Sequence, residues 1–123
     1  MISSDYLDTY LEGWATGDTH LILSTLAEEF VLDDPHAGRI GKLDVPSYMT
    51  KWSALLDELH GDREGRANMR HFSETLTQSS GEMTIAWTWW HVPGIDLQGA
   101  GLIKAGPDGV LSERLAYYTR LPV

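Results

Sequence analysis

The chain of 123 residues contains no cysteine, which excludes disulfides, thiolate metal sites and a cysteine nucleophile. Basic residues are few: nine Lys and Arg stand against eighteen Asp and Glu, for a formal net charge of −9. Nucleic acids and anionic membrane surfaces are bound through clustered Lys and Arg, so neither is expected as a partner. No apolar run approaches the roughly 20 residues that a membrane helix needs. Residues 1–5 have neither the basic segment nor the apolar run of a secretory signal, so a cytoplasmic location is expected.

Internal repeats, low-complexity segments and glycine-rich nucleotide-binding patterns are also missing. We therefore expect one domain over residues 1–123 and no nucleotide or flavin cofactor. No pair of the five histidines has a recognised ligand spacing, so a metal is not expected either. Tryptophan and tyrosine are abundant, with five of each, and would suit an aromatic-lined cavity.

The first half of the chain has apolar residues at helical spacing. This spacing predicts a first helix that ends at Gly17 and carries the stripe Leu7, Tyr10, Leu11 and Trp14, with Ser3 or Ser4 as its cap. Asp18 is expected to cap a second, short helix. Asp44 is expected to cap a third, which carries the clearest apolar stripe of the chain and ends at Gly61.

The second half is rich in Thr, Ile and Trp and is divided by turn residues, which predicts strands over 70–78, 82–92, 97–105 and 110–120. A further strand is predicted at 30–34, between the second and third helices. Segregated helices and consecutive strands indicate an α+β fold. We expect a cone in which a curved antiparallel sheet wraps around the three helices of the first half, with a pocket between the layers.

The segment Phe30-Val31-Leu32-Asp33-Asp34-Pro35 indicates where chemistry would occur. Phe30, Leu32 and Asp34 share one strand face, and the proline keeps Asp34 extended. A carboxylate at the inner end of an apolar wall is expected to have a raised proton affinity, which suits a general base or acid. The alternative is that Asp34 only starts a turn, as Asp before proline often does.

The strand at 82–92 carries large apolar groups on both faces. One face holds Met83, Ile85, Trp87, Trp89 and His91, and the other holds Thr84, Ala86, Thr88 and Trp90. One face would cover the pocket, and no helix remains to cover the other. We therefore expect a homodimer that packs sheet against sheet through the outer face.

Three segments carry a family resemblance. Residues 10–18, Tyr-Leu-Glu-Gly-Trp-Ala-Thr-Gly-Asp, are similar to the end of the first helix of ketosteroid isomerases. Asp33-Asp34-Pro35 is similar to their strand-end acid-Asp-Pro, and residues 108–118 to their closing hairpin and last strand. Together these segments resemble the nuclear transport factor 2-like superfamily, which also includes scytalone dehydratase and SnoaL-like polyketide cyclases.

The resemblance implies roles for particular residues. Asp34 corresponds to the proton-shuttling base and Tyr10 to the phenol that binds the oxyanion, whereas the position of the second acid falls on Gly101. Arg70-His71-Phe72 resembles the His-Phe of scytalone dehydratase and implies that His71 is a second acid or base. The implied activity is a cofactor-free proton transfer, giving isomerisation, dehydration or cyclisation of a small apolar molecule that contains a carbonyl.

Substrate contacts are expected from Trp14, Trp52 and Trp90, and from Arg114 and Tyr118 if their face of the last strand is concave. Otherwise Arg114 forms a surface ion pair. Two other functions stay open. One is a non-catalytic module of the same fold that binds a small molecule or a protein. The other is an epoxide or ester hydrolase, in which Asp34 activates water with help from Arg114.

Overall fold

The computed structural model describes residues 2–61 and 69–118, which form three α-helices and one six-stranded sheet. The helices are α1 (Ser3–Thr16), α2 (Thr19–Thr25) and α3 (Val45–His60), with a 3-10 turn, Lys42–Asp44, before the third. The strands are β1 (Leu26–Asp34), β2 (Gly38–Gly41), β3 (His71–Ser80), β4 (Met83–Val92), β5 (Leu97–Gly106) and β6 (Gly109–Tyr117). The last residues of the strand predicted at 110–120, and the ends of the predicted domain, lie outside the described residues.

The helix ends follow the sequence signals in part. Gly17 ends α1 with φ +73°, a left-handed conformation that glycine adopts without strain. Asp18 caps α2 as predicted, because its carboxylate accepts a hydrogen bond from the N–H of Leu21. The predicted serine cap of α1 is wrong, since Ile2 occupies that position. Asp44 precedes α3 but its side chain makes no capping bond.

The sheet has the order β2-β1-β6-β5-β4-β3. The predicted α+β fold is confirmed, with two differences in the sheet. First, the loop expected after Asp34 contains β2, which pairs with β1; its four residues include two glycines and gave no strand signal. Second, β1 runs parallel to β6, so the sheet is mixed rather than wholly antiparallel. This pairing places the end of β1 beside the middle of β6.

Burial distinguishes an inner sheet face, which packs against the helices, from an outer one. On β4, Trp90 is 2% exposed and Trp87 is 51% exposed, as the alternation of the strand requires. On β6, Glu113 and Leu115 are buried and Arg114 is exposed. The inner face of the last strand is therefore the one that carries Glu113. Among the described residues, no helix is long and apolar enough to cross a membrane.

Candidate functional site

Asp34 lies at the inner end of β1 and is buried, as the strand alternation predicts. Its Oδ2 accepts hydrogen bonds from the hydroxyls of Tyr48 (2.5 Å) and Tyr117 (2.7 Å). Its Oδ1 accepts from the backbone N–H groups of His36 (2.8 Å) and Ala37 (3.3 Å). Asp34 therefore starts the turn at residues 35–37 and also faces the interior. The sequence left these two roles as alternatives. We call Asp34, Tyr48 and Tyr117 the Asp34 cluster.

These four donors reverse the expected proton affinity of Asp34. Burial alone would raise the pKa of the carboxyl group, but the bonds from Tyr48, His36, Tyr117 and Ala37 together lower it below its usual value. The expectation of a raised proton affinity is therefore wrong. Burial, together with the negative charge nearby, raises the pKa values of Tyr48 and Tyr117, so both phenols stay protonated. In this cluster Asp34 is an ionised carboxylate whose two oxygens accept four hydrogen bonds.

Tyr10 is fully buried and donates to Glu113 Oε1 at 2.5 Å, not to Asp34. Burial raises the pKa of Tyr10 first, and the charge of Glu113 raises it further. The phenol therefore keeps its proton and directs it at a carboxylate. The resemblance implied that this phenol donates to a substrate oxyanion, whereas here it donates to Glu113.

Glu113 also forms a buried ion pair with Arg70. Arg70 Nη2 lies 2.6 Å from Glu113 Oε2 and Nη1 lies 3.2 Å from Oε1, and both side chains are 0% exposed. Burial would lower the pKa of Arg70, but the charge of Glu113 raises it overall. Gly101 makes room for the pair, because a Cβ there would lie 2.6 Å from Glu113 Oε2. A carboxylate from the neighbouring strand β6 therefore occupies the space beside Gly101.

The guanidinium of Arg70 is enclosed by aromatic rings. Its Cζ lies 5.0 Å from the ring of Trp14 and 4.9 Å from those of Phe72 and Trp90, within cation–π distance. By distance and angle, three buried donors in this group make no hydrogen bond among the described residues: Trp14 Nε1, Arg70 Nε and Trp90 Nε1. Trp14 is the least isolated of them, because its interaction with the hydroxyl of Tyr10 opposes the rise in the pKa of that phenol. Buried donors are nearly always paired. Three unpaired N–H groups in one place, two from indoles and one from the guanidinium between them, therefore make this region a candidate site for a ligand acceptor. We call Trp14, Arg70 and Trp90 the donor group.

The tryptophans expected to shape a cavity form a packed aromatic chain. Trp14, Trp52 and Trp90 are each at most 4% exposed. Trp52 contacts the other two edge to face, at 6.1 Å from Trp14 and 5.7 Å from Trp90. Trp90 in turn contacts Tyr117 at 5.7 Å. The chain connects the donor group to the Asp34 cluster through continuous contacts.

A cleft of about 440 Å³ opens beside the Asp34 cluster. It is lined by His36, Ala37, Ile40, Asp44, Ser47, Tyr48 and Lys51. Tyr48 lines the cleft and also donates to Asp34, so the cleft reaches one member of the cluster. Among residues 2–61 and 69–118, no three His, Asp or Glu side chains are grouped to hold a metal ion.

Comparison with protein-family models and with curated proteins finds no match for this chain. Solved structures do match. A protein of unknown function with a cystatin-like fold from Xanthomonas campestris superposes with a TM-score of 0.65 at 16% identity, over 97% of this chain and 92% of that chain. A nuclear transport factor 2-like protein of unknown function from Cytophaga hutchinsonii gives 0.61 at 14%, over 95% and 91%. This chain has the nuclear transport factor 2-like fold.

A candidate polyketide cyclase from Pseudomonas putida has the same fold, with a TM-score of 0.62 at 14% identity over 98% of this chain and 93% of that chain. At such identities the likeness shows the fold alone. The fold expected from the resemblance is confirmed. The residue roles have to be judged from the geometry of this chain.

Three predicted site residues lie away from the interior of this nuclear transport factor 2-like cone. His71 is exposed, and its ring packs on that of its cross-strand partner His91 at 5.0 Å. Arg114 is exposed on the outer face, and Tyr118 is 60% exposed. The expectation that Arg114 and Tyr118 face inward is corrected, because the alternation of β6 turns Glu113 inward instead. The structure also does not place Arg114 on the face of Asp34, as the hydrolase alternative requires.

Sequence reasoning missed four residues that the cone interior brings into the site: Tyr48, Arg70, Glu113 and Tyr117. Tyr48 belongs to the buried apolar stripe of α3, and helical spacing says nothing about the partner of its hydroxyl. Glu113, Leu115 and Tyr117 lie on the same face of β6. Assigning that face to the interior would have identified Glu113 and Tyr117 as site residues. No local signal pairs Arg70 with Glu113, which lies 43 residues away.

Proposed function

We propose that this chain binds a small, mostly apolar molecule in its cone and recognises an acceptor oxygen of that molecule, such as a carbonyl. The supporting observation is the donor group, Trp14, Arg70 and Trp90, whose three N–H groups are buried and make no hydrogen bond among the described residues. A buried donor left unpaired costs about 1–3 kcal/mol. An oxygen that accepts from one or more of them removes part of that cost when it binds.

The charges favour a neutral ligand. The positive charge of Arg70 is already balanced by Glu113, through two hydrogen bonds in a site with no solvent exposure. An anionic ligand would add a second negative charge to this buried pair, which the low dielectric makes costly. A neutral carbonyl can accept from the unpaired N–H groups without that repulsion.

Proton transfer is the second candidate function, and one observation favours it. The Asp34 cluster adjoins a cleft of about 440 Å³ that Tyr48 lines. In this alternative one phenol leaves Asp34, donates to a substrate carbonyl in the cleft, and frees the carboxylate to take the proton next to that carbonyl. The lowered pKa of Asp34 makes it a weak base, so we rank this function below binding.

The test of binding uses a ketone and a hydrocarbon of the same frame, 1-indanone and indane. With ¹⁵N-labelled protein, 1-indanone is expected to shift the indole N–H signals of Trp14 and Trp90, whereas indane leaves these two signals near their original positions. Trp14→Phe and Trp90→Phe remove one donor each and should weaken ketone binding about two- to tenfold, the effect of one hydrogen bond. Trp87→Phe is the matched control, because Trp87 lies on the outer face and is half exposed. Equal shifts from both compounds, or none, would contradict the proposal.

The same ketone separates the two candidates. If the chain transfers protons, it should speed the exchange of the hydrogens next to the carbonyl with D₂O, followed by NMR of the ketone. Tyr48→Phe should abolish this exchange and leave the indole signals responsive. Exchange no faster than in buffer, together with shifted indole signals, supports binding alone.

A further inference from the structure

We infer that His71 and His91 together bind one divalent transition-metal ion, of the zinc, nickel and copper class. The two residues lie directly opposite each other where the β3–β4 ladder begins. Their ring centroids are 5.0 Å apart and their ring planes are inclined by 63°. The pair is separate from the interior of the cone, because alternation along β4 turns His91 to the face opposite the buried Trp90.

The spacing of the two rings fits two imidazoles on one ion. A zinc–nitrogen bond of about 2.0–2.1 Å places the ion about 3.2 Å from the centre of an imidazole ring. Two such rings at the tetrahedral angle have centres about 5 Å apart. This is the separation of His71 and His91. The planes are inclined rather than stacked, so rotation about χ2 can direct one nitrogen of each ring toward a shared ion.

Both rings are available to an ion. Among residues 2–61 and 69–118, neither imidazole forms a hydrogen bond or an ion pair. His60 is different, because its two ring nitrogens lie 2.8 Å and 3.0 Å from backbone carbonyl oxygens. His71 is exposed, His91 is half-buried, and β3 is the edge strand of the sheet. An ion can therefore reach the pair directly from solvent.

The ligand type selects the class of ion. Imidazole nitrogen suits Zn²⁺, Ni²⁺ and Cu²⁺, whereas Mg²⁺ and Ca²⁺ prefer oxygen ligands. The net charge of −9 favours the approach of any cation. Within the described part of the chain, no third histidine or acid completes the set, so water fills the remaining positions. Two of the four protein ligands of a structural zinc site predict a dissociation constant on the order of 10 μM.

A bound ion would join the edge strand β3 to β4 and stabilise the folded state. The expectation that no metal binds was based on spacing along the chain. His71 and His91 are 20 positions apart and match no ligand motif. Only the antiparallel ladder makes them neighbours.

A zinc titration of the full ¹⁵N-labelled chain, followed by NMR at about pH 7.5, tests this inference. Zn²⁺ is expected to shift the ring signals of His71 and His91 together, with one dissociation constant, and Mg²⁺ to shift neither. His71→Ala removes an exposed ring and should raise the dissociation constant at least about tenfold, because one of the two ligands is lost. His20→Ala is the matched control, since His20 is exposed on α2 and should not affect zinc affinity.

A second variant and a second readout complete the test. His91→Ala should weaken binding as much as His71→Ala, with circular dichroism to confirm that the chain is folded. In urea, about 1 mM Zn²⁺ should raise the unfolding midpoint of the wild type and leave that of His71→Ala nearly unchanged. Ring signals that do not respond to about 1 mM Zn²⁺, or a His71→Ala chain that binds zinc as tightly as the wild type, would overturn the inference.

Discussion

Tyr10 Oη donates a hydrogen bond to Glu113 Oε1 at 2.5 Å and so joins the first helix to the last strand. Glu113 in turn holds Arg70, and Gly101 leaves the space that the carboxylate occupies. The phenol is therefore committed to a carboxylate that is itself paired with a cation. A network closed in this way stabilises the cone, while the N–H groups Trp14 Nε1, Arg70 Nε and Trp90 Nε1 stay outside it.

Replacement of Gly101 by alanine should destabilise the protein. The added Cβ would lie 2.6 Å from Glu113 Oε2 and 2.9 Å from Thr88 Oγ1, so the ion pair has to move. We expect a loss of about 1–3 kcal/mol in the free energy of unfolding, measured with urea. Gly41→Ala is the control, because nothing lies within 4 Å of its Cβ position, and it should change stability by less than about 0.5 kcal/mol. Equal effects at the two glycines would contradict the crowded position of Glu113.

Glu113→Gln should leave Arg70 as an unbalanced buried charge. We expect stability to fall by about 3–5 kcal/mol, and the double variant Arg70→Met/Glu113→Leu to recover much of it, since apolar groups can replace a buried pair. The coupling is measured in urea by a double-mutant cycle of Arg70→Met, Glu113→Leu and the double variant Arg70→Met/Glu113→Leu. Glu28→Gln removes an exposed partner of Lys42 and should cost less than about 1 kcal/mol. Additive losses in the cycle would show that the pair is not coupled.

Asp34→Asn should lower stability at neutral pH by about 1.5–3 kcal/mol, because it removes a charged acceptor from two phenols and two N–H groups. The folded pKa of Asp34 is lowered, so its contribution is present above the ordinary unfolded value of about 3.9 and is lost as pH falls through the folded value. Wild type and variant should therefore converge as the pH falls below about 4. Asp33→Asn, at the partly exposed neighbour, is the matched control and should cost less than about 1 kcal/mol, because it removes only a surface ion pair with Arg39. A constant gap between Asp34→Asn and wild type would argue against an ionised Asp34.

Alkaline pH should destabilise the fold through the buried phenols. The pKa values of Tyr10, Tyr48 and Tyr117 are raised in the folded state, so their stabilising contribution is complete below the unfolded value of about 10 and is lost as pH rises. At pH about 11, unfolding should add the phenolate absorbance of three tyrosines. Tyr48→Phe should reduce this increase by one tyrosine. A folded chain whose phenols are already ionised at that pH would contradict the buried placement.

Much of the fold was predictable from local patterns. Helical spacing placed Leu7, Tyr10 and Trp14 on one buried stripe, and alternation placed Asp34 inside at the end of β1. These patterns succeed because a helix and a strand impose their own periods on whichever residues face the core. The short strand β2 escaped prediction because a four-residue segment is too short to show a period.

The partners of the site residues depend on the tertiary structure. Asp34 was correctly placed, but its proton affinity depends on Tyr48 and Tyr117, which belong to α3 and β6. The sequence did not decide which face of β6 is buried. Glu113 is charged, and the alternation along the strand alone allows either face to point inward. The parallel pairing of β1 with β6 settles it by setting Leu32 beside Glu113 on the buried side.

The sequence by itself determined the order of the three helices and of the five longer strands, and the inward direction of Asp34, because both follow from spacing along a few neighbouring residues. Only the tertiary structure decided that Tyr10 meets Glu113, that Arg70 neutralises it, and that Gly101 leaves it room. Those contacts join residues up to 103 positions apart, and a buried charge can be tolerated there only when the whole cone brings its partner to it.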